Sequence, residues 1–284
     1  MARDSVAPLP QLSEMEYAAP PYVEPKKPAW RRAGGWIAAA ALLLFKFGAK
    51  LKGLLLLLPK LKIFTTSASM LVSVAAYALI WGWKFALGFV LLLFIHEIGH
   101  VIQLRREGIP ASAPMFIPFL GAMVAMKEMP KDAGAEARVG LAGPVIGTLG
   151  CLIPLALYGI TDDELFKALA FVGFFLNLFN LLPVLPLDGG RAMAALSPKL
   201  WLAGFALLIG VTLLYPNPIM LLILLLGGFE TYRRWQARKS PEAQEYNRVP
   251  ARTRWGVAVV YLGLAVLLAL GMDATFVEKD FDDV

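Results

Sequence analysis

The run Phe85-Ala86-Leu87-Gly88-Phe89-Val90-Leu91-Leu92-Leu93-Phe94-Ile95-His96-Glu97-Ile98-Gly99-His100-Val101-Ile102-Gln103-Leu104 joins two demands in one segment. It is apolar enough for a helix crossing a bilayer, which takes about 20 such residues. Near its end it carries His96 and His100, the only histidines in the chain. On a helix, side chains four residues apart lie one turn apart on the same face, so both imidazoles can reach one metal ion. Glu97 is rotated by about 100° from His96 and stands beside such an ion, placed to take a proton from water. That division of labour belongs to H-E-x-x-H sites that hold zinc. A packing pair of histidines next to a salt-bridged glutamate is the bland alternative. Three ionisable groups inside a membrane span are expensive without a purpose, which argues against it.

Working outward, the 284 residues are 58% apolar and only 17% charged, too greasy for an ordinary soluble domain. The fold class expected is an all-α polytopic membrane protein. About seven transmembrane helices are expected, at roughly 67–83, 85–104, 139–160, 166–182, 201–215, 218–229 and 255–272. Residues 115–126 are apolar but too short to cross, and they hold Pro118 and Gly121. They read as a re-entrant or β-hairpin segment, which survives at membrane depth only against protein or a cavity.

The remaining segments sort by composition. Residues 1–33 are proline-rich and read as a disordered tail, not as a cleavable signal peptide. Residues 34–64 form an interfacial amphipathic stretch with Lys46, Lys50, Lys52, Lys60 and Lys62 towards the head groups. Residues 65–200 make the membrane core and 201–231 a helical hairpin or two spans. Residues 232–254 form a basic connector, and 255–284 hold a last span and an acidic tail. The net charge of +6 lies in loops on one side, a topology signal and not a nucleic-acid footprint. It places the N-terminus and the H-E-x-x-H end in the cytoplasm, the C-terminus outside, and the chain in the cell (inner) membrane. His96 and His100 then lie about 6–12 Å below the interface, close to cytosolic water.

A catalytic zinc usually has three protein ligands and one open position. With no third histidine, the remaining ligand is a carboxylate or the single thiol, Cys151. Asp188 is the candidate, in Asn180-Leu181-Leu182-Pro183-Val184-Leu185-Pro186-Leu187-Asp188-Gly189-Gly190. The prolines end the preceding helix, and the paired glycines allow a sharp bend that aims Asp188 back at the site. Cys151, deeper in its span and nearer the outer side, is a poor rival. Gly140, Gly143, Gly147 and Gly150 make a thin ridge for close helix packing.

His96-Glu97-Ile98-Gly99-His100 and the later Asn180…Pro183…Pro186-Leu187-Asp188-Gly189 together resemble the site-2 protease family of intramembrane zinc metalloproteases. Gly140-Leu141-Ala142-Gly143-Pro144 and Ile117-Pro118-Phe119-Leu120-Gly121-Ala122 are similar to segments of that family. The resemblance spans about residues 65–200. It implies one Zn2+ per chain on His96, His100 and Asp188, with Glu97 activating water. It implies that 115–126 lines the substrate's route, and that the substrate is a membrane protein met within the lipid bilayer. No stretch suggests the PDZ or nucleotide-sensing domains of some members. Asn180, one turn beyond Asn177, either holds the substrate backbone or oxyanion or makes an interhelical hydrogen bond. Arg191 snorkels to the interface or balances Asp188.

The function expected is hydrolysis of a peptide bond in or beside a transmembrane segment, as in regulated intramembrane proteolysis. A membrane zinc hydrolase acting on lipids or lipidated peptides is the first rival. An ion-coupled transporter is the second, weakened because neither the His96 nor the Asp188 segment is repeated.

Overall fold

A computed structural model describes residues 62–197 and 199–276. The expected tail at 1–33 and nearly all of the interfacial stretch at 34–64 lie outside the described residues. Helix α1 (Lys62–Trp81) is followed at once by α2 (Trp83–Arg106), which carries the H-E-x-x-H run. The break falls at Gly82, whose φ of 78° suits a residue without a Cβ. Lys84, between the first two expected spans, lies inside the first turn of α2. A charge does not interrupt a helix there, whereas a backbone angle does.

Between α2 and the next helix stands a two-stranded antiparallel hairpin, β1 (Met115–Ile117) and β2 (Gly121–Met123). Of the two forms expected for 115–126, it takes the hairpin. The turn uses the left-handed region twice, at Phe119 (φ 64°) and Gly121 (φ 92°). Phe116 is buried beside Phe94, two residues before His96. The β1 edge is tied to α1, for Phe116 N–H donates to Ser69 Oγ (3.2 Å) and Phe119 N–H to the Tyr77 hydroxyl (3.0 Å).

Helix α3 (Ala133–Thr161) starts where the Asp132 carboxylate accepts from Ala135 N–H at 2.7 Å and ends at Asp162 with φ 52°. It is longer than expected and carries Pro144 and Pro154 inside, as membrane helices tolerate. Helix α4 (Glu164–Asn180) is capped by Asp163 and stops shortly before Pro183. Helix α5 (Asp188–Leu196) follows the proline-rich loop. Helices α6 (Lys199–Leu214) and α7 (Pro218–Ala237) pair as a hairpin, and α8 (Pro241–Tyr246) leads to α9 (Ala251–Thr275). The connector expected at 232–254 is thus largely helical.

Among the described residues, three helices are long and apolar enough to cross a membrane: α2, α3 and α9. The architecture is that of a helical membrane protein with one small sheet. Leu79, Ile160 and Leu213 stand largely exposed, a surface suited to lipid tails. Helix α3 is the hub, packed on α2, α4 and α5. Its contacts with α2 run in opposite senses, Arg138 meeting Glu107 at one end and Gly150 meeting Ile95 further along. The two helices are therefore antiparallel.

Near the start of α3, Glu136 is buried at 1% exposure. Arg234 of α7 grips it with both terminal nitrogens, at 2.7 and 3.0 Å, and the Tyr246 hydroxyl donates to it at 2.8 Å. Burial and the neighbouring Glu136 carboxylate push the Tyr246 phenol well above its usual range. The Arg234 guanidinium also faces the ring of Trp201, whose indole N–H donates to Gly190 O at 2.7 Å. One polar chain thus links α8, α7, α3 and α6 to the first turn of α5.

Candidate metal centre

Three donor atoms converge from two elements far apart in sequence. His96 Nε2 lies 3.0 Å from Asp188 Oδ2, His100 Nε2 lies 3.2 Å from the same oxygen, and the two Nε2 atoms are 3.2 Å apart. All three residues are buried, between 6% and 8% exposed. Each ring is held from behind at its Nδ1. Val139 O accepts from His100 at 2.9 Å and Asn177 Oδ1 accepts from His96 at 2.8 Å. A carbonyl only accepts, so the proton of each ring resides on Nδ1 and the Nε2 lone pairs face inward. The Asn177 amide is oriented in turn, its Nδ2 donating to Gly173 O at 2.8 Å.

Two lone pairs and a carboxylate oxygen at such separations repel one another unless a proton or a metal cation lies among them. The triangle also has the right size. Donors about 2.0–2.1 Å from a tetrahedral ion stand about 3.3 Å from each other. His96, His100 and Asp188 are the group of described residues able to hold a metal ion.

The neighbouring helix leaves room for this. A Cβ built on Gly143 would lie 2.2 Å from His100 Nε2 and 2.7 Å from His96 Nε2. One built on Gly147 would lie 2.2 Å from Asn177 Oδ1. The glycine ridge expected only to let helices approach thus also borders the donor atoms. Gly189 and Gly190 differ from expectation too. They begin helix α5 rather than a bend, and they are glycines because a Cβ would meet Leu181 O at 2.0 Å and Val184 C at 2.4 Å. The α6–α7 hairpin closes on that loop, with Gly204 against Pro183 O and Gly227 against Leu185 O.

Glu97 is buried, and its carboxylate makes no hydrogen bond or ion pair with the described residues. Asn180 is half-buried at the end of α4, and its side chain makes no hydrogen bond with the described residues. Asn177, a turn earlier, is the one against His96. Sequence alone offered two asparagines on similar faces; what separates them is the gap at Gly147. Cys151 is buried closer to the site than expected, its sulfur accepting from Asn177 Nδ2 at 3.7 Å, but it stays outside the donor triangle. Arg191 reaches Met126 Sδ at 3.8 Å, joining α5 to the end of the hairpin segment.

The sequence profile of peptidase family M50 matches residues 84–162 and 159–211, the stretch that supplies every donor of this triangle. Over these residues the chain is similar to peptidase family M50. This is the site-2 protease family that the paired motifs resemble. The chain is 29% identical over 132 residues to a zinc metalloprotease of Methanocaldococcus jannaschii, covering 45% of this chain and 38% of that protein. It is 33% identical over 112 residues to the Rip3 protein of Mycobacterium tuberculosis, covering 36% of this chain and 28% of Rip3. It therefore matches under two fifths of the length of either relative. The M50 match begins at residue 84, which leaves α1, and from residue 212 onward α7, α8 and α9, outside it.

Proposed function

We propose that this protein is an intramembrane zinc metalloprotease that cuts a membrane protein within or beside a transmembrane segment. The observation carrying the reading is the triangle of His96, His100 and Asp188 with unbonded Glu97 next to it on α2. The three residues would hold one zinc ion, which when bound supplies Lewis-acid polarisation of the scissile carbonyl and of water. Glu97 takes the proton of the attacking water and delivers it to the leaving amide nitrogen, so one carboxylate serves as base and then acid. Burial keeps that carboxylate away from bulk water and beside the donor triangle. Asn180, unbonded among the described residues, is available to the substrate backbone.

A helical substrate hides its amides, so it must open before it is cut. The hairpin offers a route. Ladder bonds alternate along an antiparallel pair, and with Phe116 N–H turned out to Ser69, its partner Ala122 points its own backbone groups out from β2. An unwound peptide can add there as a strand. Replacing Glu97 with Gln should leave zinc at about one per chain and slow cleavage by about 10²–10⁴-fold. Comparing membrane proteomes with wild-type and Glu97→Gln protein would show an intact substrate accumulating with the variant. Zinc retained with unchanged turnover would remove Glu97 from the chemistry and sink the reading.

Asn177 acts through His96. Asn177→Ala should weaken zinc binding by about 10–100-fold, the usual effect of losing a partner behind a ligating histidine. Asn177→Asp, which keeps the acceptor, should restore most of it in a competition titration with a chelator.

The topology follows the charges. Seven crossings, with α1, α4, α6 and α7 joining the three longest helices, put Arg105, Arg106, Arg238, Arg252 and Arg254 on the cytoplasmic side of the cell (inner) membrane. The Asp162–Asp163 turn and the C-terminus then lie outside. In a Cys151→Ser background, a cysteine at position 239 should react only from the cytoplasmic face and one at Asp162 only from the opposite face. The reverse pattern would invert the arrangement.

A further inference from the structure

Helix α9 packs on α3, α4 and α5, and between it and α2 runs a groove floored by α3, with a volume of about 570 Å³. That size falls in the range of about 300–1,000 Å³ typical of sites for small molecules. The groove lies behind the metal centre, not in it, since Gly99 lines it from the face of α2 turned towards Ala142. Its walls are graded. Arg106, Arg138 and Arg252 form one end, where α2 finishes and α3 and α9 begin. Leu141, Val145, Ile146, Val257 and Val260 form the shaft.

Not all of the mouth's charge is free. Arg138 forms two bonds with Glu107, at 2.7 and 3.0 Å, and Gln103 donates to the same carboxylate at 2.9 Å. The Arg138 bonds hold the Glu107 carboxyl below the usual range, so this acid stays ionised and neutralises Arg138. Arg106 and Arg252 have no carboxylate partner among the described residues. Beside them, the first turn of α9 has no side-chain cap, and its N–H groups add positive character. From Arg252 to Val260 is about 12 Å along the axis, most of the roughly 15 Å depth of one leaflet.

We propose that this groove binds a phospholipid with an anionic headgroup, its phosphate between Arg106 and Arg252 and one acyl chain along the α3–α9 shaft. Basic pockets between membrane helices on the cytoplasmic side take such headgroups. The graded walls match an amphiphile, whereas a peptide helix would leave both guanidiniums against apolar side chains. The bound lipid bridges α9 to α2 across the gap that protein contacts leave open. It thereby ties a helix outside the M50 match to the helix that carries His96 and His100.

The test uses the full chain purified in detergent, with phosphatidylglycerol or phosphatidylcholine of identical chains added and retained lipid counted by native mass spectrometry. The wild type should hold one phosphatidylglycerol with roughly tenfold or greater preference over phosphatidylcholine. Arg106→Gln with Arg252→Gln should remove the preference. Val260→Trp, at a position 42% exposed where bulk is tolerated, should fill the shaft and release both lipids. Unfolding temperatures without added lipid should match the wild type, so that lost binding is not lost fold. Equal retention of the two lipids by the wild type would overturn the proposal, as would wild-type retention by either variant. Variants that keep the lipid but no longer cut a membrane-embedded substrate would make the groove a site for the substrate helix, and the lipid assignment would fall. The readout is binding, so it is independent of whether the protease assignment holds.

Discussion

Gly143→Ala should strip the protein of zinc. The added methyl would come to 2.2 Å from His100 Nε2 and 2.7 Å from His96 Nε2, where only a ligated ion belongs. The neighbouring atoms are the tips of rings fixed from behind by Val139 and Asn177, so they cannot swing aside without losing those bonds. Zinc affinity should fall by more than about 100-fold, beyond the loss of a supporting partner, and cleavage with it. Gly150→Ala is the informative control. Its methyl would meet Ile95 Cγ2 at 2.7 Å, a side-chain contact away from the donors. Overpacking of that kind costs about 1–3 kcal/mol of stability and should leave the metal in place. Metal analysis of the two purified variants decides the matter: equal zinc in both would show that the ridge serves packing alone.

Removing the Glu136 carboxylate should have the largest effect on stability. Glu136→Ala would leave the Arg234 guanidinium facing Trp201 and the Tyr246 hydroxyl without its acceptor. Breaking one side of a buried pair typically costs about 3–5 kcal/mol, because a charge is left uncompensated. Glu230 still bonds Arg234 at 2.9 Å, so the lower end of that range is expected. Glu136→Leu combined with Arg234→Met should recover most of the loss, since no buried charge remains. Denaturant unfolding in detergent would measure both, and a single variant as stable as the wild type would show the network to be dispensable.

The donor set was readable from sequence because each part obeys a local rule. His96 and His100 share a helix face by spacing, and Asp188 follows prolines that must end α4. The hairpin at 115–126 was readable as too short to span and too rich in turn formers for a helix. What escaped was long-range. Glu136 and Arg234 are 98 residues apart, and each sits among other charges, where a solvated surface is the natural reading. Asn177 and Asn180 look alike until Gly147 shows which of them has a gap to fill. Gly189 and Gly190 were read for flexibility, yet their smallness against Leu181 and Val184 is what the packing uses.

The donor triangle has a consequence for how the protein is made. Its two imidazoles leave the ribosome 88 to 92 residues ahead of the carboxylate that completes it. The loop beneath that carboxylate is clamped only when α6 and α7 follow, and Glu136 is neutralised only after Arg234. A half-synthesised chain therefore carries Glu97 and both histidines without Asp188. The arrangement is therefore complete only after Asp188, α6 and α7 have all been made.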